Sequence, residues 1–292
     1  MNYHCGFVTI IGRPNVGKST LLNRFIGQKL AITSHKPQTT RHSLLGIKTC
    51  PNGQILFIDT PGLHQRGKNA LNRALNRIAR GAIEHTDLVL FILEAGIWTQ
   101  EDTLVLNTLA HLSNIPCIGV LNKVDQLQNR ESLLPYLASI AQRRNWQALI
   151  PVSAQVGDQM EVLEQEILAL LPLQAALFPE DQVSDRPQRF FAAELLREQL
   201  TRRYAKELPY QLAVEIENFQ EQGNLYRISA VIWVERAAQK AIIIGHNGLA
   251  LKATAKAARL EMERFFNCKV HLEVWVRLKS NWTHNEDLIA SL

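Results

Sequence analysis

The segment GRPNVGKST, residues 12–20, constrains the fold more than any other part of this sequence. It has the form G-x-x-x-x-G-K-[S/T] and stands between an apolar run and a segment of helical period, which is the context this pattern requires. Its glycines let backbone N–H groups approach an anion closely, and the following helix adds its positive end. The segment therefore predicts a strand, a phosphate-binding loop and a helix in succession.

The loop is expected to hold the phosphates of a nucleotide. Lys18 would reach the outer phosphates, where its charge would also serve catalysis, and the hydroxyl of Ser19 would ligate Mg²⁺. The loop residues predicted to contact the nucleotide are Gly12, Arg13, Pro14, Asn15, Val16, Gly17, Lys18, Ser19 and Thr20.

A second motif, DTPG, follows the third candidate strand at residues 59–62. An acid at a strand end, here Asp59, can hold the magnesium shell, and Gly62 leaves its N–H free for a terminal phosphate. After a phosphate loop, this sequence predicts a switch segment. Its predicted nucleotide contacts are Asp59, Thr60, Pro61, Gly62 and Leu63.

A third motif, NKVD at residues 122–125, predicts guanine as the base. Guanine offers an N1–H and an N2 amine, adjacent donors that the Asp125 carboxylate could accept together. That carboxylate is expected to be buried, and adenine would leave it unpaired. Asn122 would brace the loop, and the stem of Lys123 would lie along the ring. The alternative is an ATPase in which NKVD occurs by chance. The predicted base contacts are Asn122, Lys123, Val124, Asp125, Ser153 and Ala154.

The first part of the chain is predicted to be an α/β domain with a mostly parallel six-stranded sheet. Continuous apolar strands separated by helical segments indicate a sheet covered on both faces. The tight Pro51-Asn52-Gly53 turn leaves no room for a crossover helix, so the second and third strands should be antiparallel. The candidate strands are 7–12, 42–50, 54–59, 87–93, 115–122 and 148–153.

The predicted domains are 1–175, a linker at 176–190 and a smaller α+β domain at 191–292. Proline and polar residues break the periodicity in the linker. The second domain reads as helix 189–206, strands 210–218 and 225–235, a short helix, a glycine loop, a longer helix and a strand 269–279. In that last strand the residues predicted to face the core are Val270, Leu272, Val274, Val276 and Leu278.

The glycine loop, IIGHNG, carries two glycines three residues apart. Alone, it would be a turn between helices. In this element order it resembles the loop of a type-2 KH domain, which clamps the backbone of single-stranded RNA. The family's loop usually carries a lysine between its glycines, so Lys252 is the expected substitute. The predicted RNA contacts are Ile243, Ile244, Gly245, His246, Asn247, Gly248, Leu249, Lys252 and Lys256.

Charge is segregated along the chain. Residues 1–83 hold twelve Lys and Arg against one acid, and residues 84–180 hold four against twelve. This pattern fits either a solvated surface or a basic face that meets nucleic acid. Four scattered cysteines and an N-terminus without a targeting pattern favour a reducing compartment, so we expect a cytoplasmic protein.

With these motifs in order, the chain resembles the translation-factor-related GTPases and, over both domains, the Era family of bacterial GTPases with a C-terminal type-2 KH domain. SHKPQTTRHSLLGI, QRFFAAELLREQL and LPYQLAVEIE extend the match. The resemblance implies that Thr40 joins Mg²⁺ when GTP is bound. It also implies that Asn15 marks a K⁺ site, since Leu63 replaces the glutamine that orients water in Ras-like proteins.

The resemblance further implies a GTP-hydrolysing switch that binds the 3′ region of 16S ribosomal RNA and assists maturation of the small (30S) ribosomal subunit. It also implies a monomer with peripheral association at the inner face of the cell membrane. Two alternatives remain open: an RNA-binding adaptor whose structural GTP is weakly hydrolysed, and a GTPase that acts on another RNA.

Overall fold

The computed structural model describes residues 3–33, 44–60, 81, 86–109, 114–204, 208 and 211–279. These residues divide into two compact units, one ending at Asp185 and one beginning at Arg186. None of the helices in the described ranges has the length and apolarity needed to span a membrane.

The first unit is a sheet with helices between its strands. The strands are β1 His4–Ile11, β2 Leu44–Cys50, β3 Gly53–Asp59, β4 Leu88–Glu94, β5 Cys117–Asn122 and β6 Ala148–Pro151. The described helices are α1 Lys18–Ile26, α2 Gln100–Leu109, α3 Leu133–Ala141 and α4 Met160–Leu170.

The strand order is β2-β3-β1-β4-β5-β6, and every neighbouring pair is parallel except β2 and β3. Both the six-stranded sheet and the antiparallel pair are therefore confirmed. Because parallel strands present their carboxyl ends at one edge, the segments that follow β1, β3, β5 and β6 meet there. The described residues of the predicted nucleotide motifs lie at this edge.

The inner strands are buried along nearly their whole length. Every residue from Leu88 to Leu93 is at most 1% exposed. Such continuous burial is typical of parallel strands that are covered on both faces, and it explains why β4 is an unbroken apolar run.

Much of the predicted linker is attached to the edge of the first sheet. The backbone N–H of Ile47 donates to the carbonyl of Val183 at 2.9 Å, and the Ser184 hydroxyl donates to the carbonyl of Leu45 at 2.7 Å. The side-chain oxygen of Gln54 accepts hydrogen bonds from backbone N–H groups of the same segment. The first helix of the second unit begins at Gln188, three residues after the first unit ends.

The second unit has the predicted element order. Its elements are α5 Gln188–Arg203, β7 Leu212–Gln222, β8 Leu225–Val234, α6 Ala237–Ile244, α7 Leu249–Phe266 and β9 Lys269–Leu278. In its three-stranded sheet β8 pairs antiparallel with β7 and parallel with β9. The apolar residues of one sheet face pack with those of α5 and α7, and Leu196, Ile232 and Met262 are completely buried there.

One prediction for β9 is wrong. Val270 and Val276 lie in the core as expected, but Leu278 is 50% exposed. Leu278 is the last residue of an edge strand. Alternation identifies the face to which a side chain points, but it cannot show how far along the strand that face is covered.

Candidate functional site

The two motif glycines of the phosphate loop are required by their surroundings. Gly12 and Gly17 have φ angles of 155° and 101°. A Cβ on Gly12 would lie 2.5 Å from the carbonyl oxygen of Ile92, and one on Gly17 would lie 2.2 Å from the Asn122 side-chain nitrogen. Any other residue at either position would displace the loop.

Lys18 lies inside this loop and is buried. Its Nζ donates to the carbonyl oxygens of Gly12 at 3.0 Å and Arg13 at 2.9 Å. Burial lowers the pKa of Lys18 to about 8, although the charge of Asp59 acts in the opposite direction. Burial of the charged ammonium costs free energy, and the negative charge of a bound phosphate would offset that desolvation cost.

The affinity for GDP should therefore fall as pH rises above the Lys18 pKa of about 8. Below that pH, Lys18 is already charged and binding takes up no proton. Above it, binding must take up a proton, because the phosphates favour the charged form, and the affinity should fall by up to about tenfold per pH unit. Calorimetry in buffers of different ionisation enthalpy would measure this proton uptake. Binding with no proton uptake above that pH would contradict the assignment.

Asp59 and Thr60 continue the site from the end of β3. The Ser19 hydroxyl donates to Asp59 Oδ2 at 3.3 Å, and the Asp59 side chain is completely buried. The Thr60 hydroxyl donates to the carbonyl of Ile10 at 2.9 Å, which joins this segment to β1. A hydroxyl and a carboxylate that meet in this way are hard oxygen ligands, and they fit Mg²⁺.

Asn122 joins the two halves of the site. Its side-chain nitrogen donates to the carbonyl of Val16 at 2.8 Å, and its side-chain oxygen accepts from the N–H of Ala154 at 3.0 Å. The side chain is almost completely buried. These are the contacts that the predicted bracing role requires.

Asp125 lies in a short 3₁₀ turn, Val124–Gln126, which begins two residues after the end of β5. The Ser153 hydroxyl donates to Asp125 Oδ1 at 2.5 Å and accepts from the N–H of Val156. The Asp125 side chain is exposed, and not buried as the argument from sequence assumed. Water would therefore have to be excluded from the Asp125 carboxylate by the bound base itself.

Arg24, Glu94 and Asp102 belong to this edge but were missed in the sequence. Arg24 donates to the carbonyl of Ala154 at 3.0 Å and to that of Gln155. Glu94 and Asp102 form ion pairs with the loop residue Arg13. An acid at the end of β4 was a usable signal for Glu94, whereas nothing in the periodicity of α1 marks Arg24.

Several predicted contacts lie outside the described residues. They are Thr40, Pro61, Gly62 and Leu63.

In the second unit, the predicted glycine loop connects α6 to α7 as a 3₁₀ turn, His246–Gly248. Gly245 has a φ of 70°, and a Cβ there would lie 2.5 Å from Ala250 Cβ. Gly248 has a φ of 74°, and a Cβ there would meet no atom within 4 Å. Gly245 is therefore required by packing, whereas Gly248 leaves open space beside the loop.

Asn247, between these glycines, is itself left-handed, with a φ of 48° and a ψ of 30°. Asparagine adopts this region more readily than lysine does, because its short polar side chain can form local hydrogen bonds. The backbone geometry thus accounts for asparagine at this position. His246 and Asn247 are both exposed, and their side chains lie 3.2 Å apart.

The other predicted RNA contacts differ in accessibility. Ile243 is completely buried and belongs to the core, and its carbonyl accepts a hydrogen bond from Tyr204 at 2.9 Å. Ile244 is half-buried, while Leu249 is 63% exposed. The accessible predicted contacts that follow the loop are Leu249, Lys252 and Lys256.

Comparison with known proteins gives matches in both units. Residues 7–123 match a family described as 50S ribosome-binding GTPase, and residues 207–283 match the KH domain family. The chain is 51% identical over 284 residues to GTPase Era of Stenotrophomonas maltophilia, covering 97% of this chain and 95% of that protein. GTPase Era of Xanthomonas oryzae pv. oryzae is equally similar, at 51% identity over the same length.

Solved structures match over nearly the whole chain. One is a variant of Aquifex aeolicus Era bound to GDP.AlF4⁻, with a TM-score of 0.94, 36% identity and 98% of each chain covered. Another is Era in complex with MgGDPNP and nucleotides 1506–1542 of 16S ribosomal RNA, with the same TM-score and identity, covering 99% of this chain and 98% of that one.

A phosphate loop, Asp59 and Thr60 of the DTPG motif, and an NKVD motif lie at one sheet edge, and a KH domain follows. Together they define a GTPase with an RNA-binding module. The identity and coverage then specify the family. The chain belongs to the Era family of GTPases.

Proposed function

We propose that this GTPase is a switch that binds the 3′ region of 16S ribosomal RNA and assists maturation of the small (30S) ribosomal subunit. The observation that carries the proposal is the open Gly248 position, with exposed Lys252 and Lys256 on the helix that follows it. The solved Era complex with a 16S RNA fragment, 36% identical to this chain, supports the choice of RNA.

In the nucleotide site, the proposed roles of the described residues follow from their geometry, whereas those of Thr40 and Gly62 rest on the sequence motifs and the family resemblance. Lys18 holds the outer phosphates, and Ser19 and Asp59 hold Mg²⁺, with Thr40 joining them in the GTP-bound state. When bound, Mg²⁺ would offset the negative charge of the phosphate oxygens. The N–H of Gly62 binds the terminal phosphate. Asn122, Lys123, Asp125 and the Ser153–Ala154 loop hold the guanine base.

In the RNA site, the backbone of the glycine loop approaches the RNA phosphates, and the positive charge lies on the helix that follows the loop. Gly248 opens α7, whose N-terminus favours an anion. Lys252 lies one turn into that helix and supplies the charge that the loop itself lacks. Arg259 is less available, because it forms a 2.8 Å ion pair with Glu263.

The test is binding of a labelled 3′-terminal 16S RNA fragment to the full chain, with a scrambled RNA as control. Tight binding of the native fragment, weakened by replacing Lys252 with Ala together with a smaller salt dependence, would support the proposal. Equal affinity for both RNAs would favour a GTPase that acts elsewhere. Crosslinking to cellular RNA, followed by sequencing of the bound fragments, would then identify the target.

The hydrolysis step is proposed to use K⁺ at Asn15. Leu63 has no side-chain donor or acceptor and cannot orient water. A cation beside the phosphates would supply charge where other GTPases place an arginine.

Hydrolysis should accordingly be at least about tenfold faster in K⁺ than in Na⁺ at equal ionic strength, as expected for one added charge at the transition state. Single-turnover hydrolysis of GTP would measure the two rates. The Asn15→Ala variant should lose most of the difference. Equal rates in both salts for the unmodified protein would exclude the K⁺ role.

We also propose that the chain acts as a cytoplasmic monomer with peripheral contact at the inner face of the cell membrane. The twelve basic residues against one acid in residues 1–83 would favour an anionic surface. Co-sedimentation with vesicles that contain anionic lipid, compared with neutral vesicles, tests the contact, and sedimentation velocity tests the oligomeric state.

A further inference from the structure

Glu94 lies at the carboxyl end of β4, between the phosphate loop and the NKVD loop. Its Oε2 is 2.6 Å from Arg13 Nη2, and its Oε1 is 3.1 Å from Lys123 Nζ. One carboxylate thus joins a residue of the phosphate loop to a residue predicted to contact the guanine ring. The Glu94 side chain is only 19% exposed, so water screens its two ion pairs weakly.

Arg13 is fixed on its other side by Asp102. Arg13 Nε is 3.2 Å from Asp102 Oδ2, and Asp102 is completely buried. The same carboxylate oxygen accepts hydrogen bonds from the N–H of Thr99 at 2.9 Å and from its hydroxyl at 2.8 Å. Arg13 is therefore a cation in a fixed position, and it fixes Glu94 in turn.

Glu94 is also the anion shared by two cations. Burial by itself would raise the pKa of Glu94, but hydrogen bonds from Arg13 and Lys123 lower that pKa below its ordinary value. The carboxyl group is consequently ionised at neutral pH. Loss of its charge would leave Lys123 without this counter-ion and facing the positive charge of Arg13.

The position of Lys123 matters because its backbone begins the turn that carries Asp125. Lys123 has a φ of 68°, in the left-handed region, and it caps the turn Val124–Gln126. Its conformation is held by its surroundings, since a lysine gains nothing locally from this region. The ion pair between Lys123 and Glu94 is one such constraint, and it acts directly on the loop that is proposed to bind the base.

We infer that Glu94 is a positioning residue for guanine recognition: it holds Lys123, and with it the Asp125 turn, in register with the phosphate loop through Arg13. This inference rests on the proposed assignment of Lys123 and Asp125 to the base. Glu94 acts on the base and not on the terminal phosphate. Its removal should change the choice of nucleotide and leave the hydrolysis step intact.

The Glu94→Gln variant tests this inference, with GDP and IDP as ligands. IDP lacks the exocyclic amine and can make only one of the two contacts to Asp125. The variant should bind GDP about tenfold more weakly than the wild type does, with a smaller loss for IDP, so that its preference for GDP falls. Its KM for GTP should rise, while single-turnover hydrolysis at saturating GTP stays within about twofold.

The matched control is Glu166→Gln, on the exposed face of α4, which should leave both affinities unchanged. Equal losses for GDP and IDP in Glu94→Gln would mean a merely structural role and would overturn the inference. Unchanged binding would do the same. Failure of the wild-type chain to bind GDP would instead refute the proposed function.

Glu94→Asp provides a second measurement that remains decisive if the glutamine variant does not fold. It keeps the charge between Arg13 and Lys123 but shortens the side chain by one methylene group. Its preference for GDP over IDP should therefore lie between those of the wild type and Glu94→Gln. A folded Glu94→Asp protein with the full wild-type preference, where Glu94→Gln is unfolded, would count against the inference.

Discussion

Replacement of Gly248 by Asp should weaken binding of the 3′-terminal 16S RNA fragment by at least about hundredfold, while GTP binding is unchanged. The added Cβ meets no atom within 4 Å, so the second unit can fold around the new side chain. The carboxylate would then occupy the open space that an RNA phosphate needs. A like-charge contact of this kind costs several kcal/mol, which corresponds to a loss of this size. Fluorescence anisotropy of labelled RNA would measure it.

Gly223→Asp is a closely matched control. Gly223 lies in the turn between β7 and β8 and has a φ of 59°, and a Cβ there would also meet no atom within 4 Å. The two variants therefore carry the same residue, a similar backbone strain and the same change in net charge. RNA binding should be normal in Gly223→Asp. A comparable loss of RNA affinity in both variants would indicate that the second unit is unstable. Normal RNA binding by Gly248→Asp would show that the loop is not part of the RNA site.

The second large effect is expected for Asp125→Asn, which should shift the nucleotide preference from guanine to xanthine. Guanine presents an N1–H and an amine to the carboxylate, whereas xanthine replaces the amine with a carbonyl oxygen. The amide of asparagine can still accept from Ser153, which donates to Asp125 Oδ1 at 2.5 Å, and it presents N–H donors to the base. Affinity for GDP should fall by about hundredfold or more, because a donor then faces a donor.

Competition of GDP and XDP against a fluorescent guanine nucleotide would measure the shift. Asp181→Asn, at an exposed position of the first unit, removes the same charge without touching the site and should retain the preference for GDP. A folded Asp125→Asn protein that still prefers GDP over XDP would show that this residue does not read the base.

Sequence patterns were sufficient to predict most of the described backbone around both candidate sites. The strand-loop-helix unit around Gly12 and Gly17 forms as the motif predicted, and the Pro51-Asn52-Gly53 turn forms the antiparallel pair. Boundaries of the second unit were less accurate: β7 continues to Gln222, four residues past its predicted end. A β-bulge near Ile216 shifts the register there and hides the alternation on which the prediction depended.

The motifs could be identified from residue order alone, because phosphate loops and glycine turns depend on the φ preferences of neighbouring residues. The side chains that support these motifs became identifiable from the fold. Arg13 and Asp102 are 89 residues apart, and Arg24 and Ala154 are 130 apart. Such pairs leave no periodic signal, since they meet only when parallel strands bring their carboxyl ends to one edge. The structure also explains why the glycine loop carries Asn247, since that backbone is left-handed there.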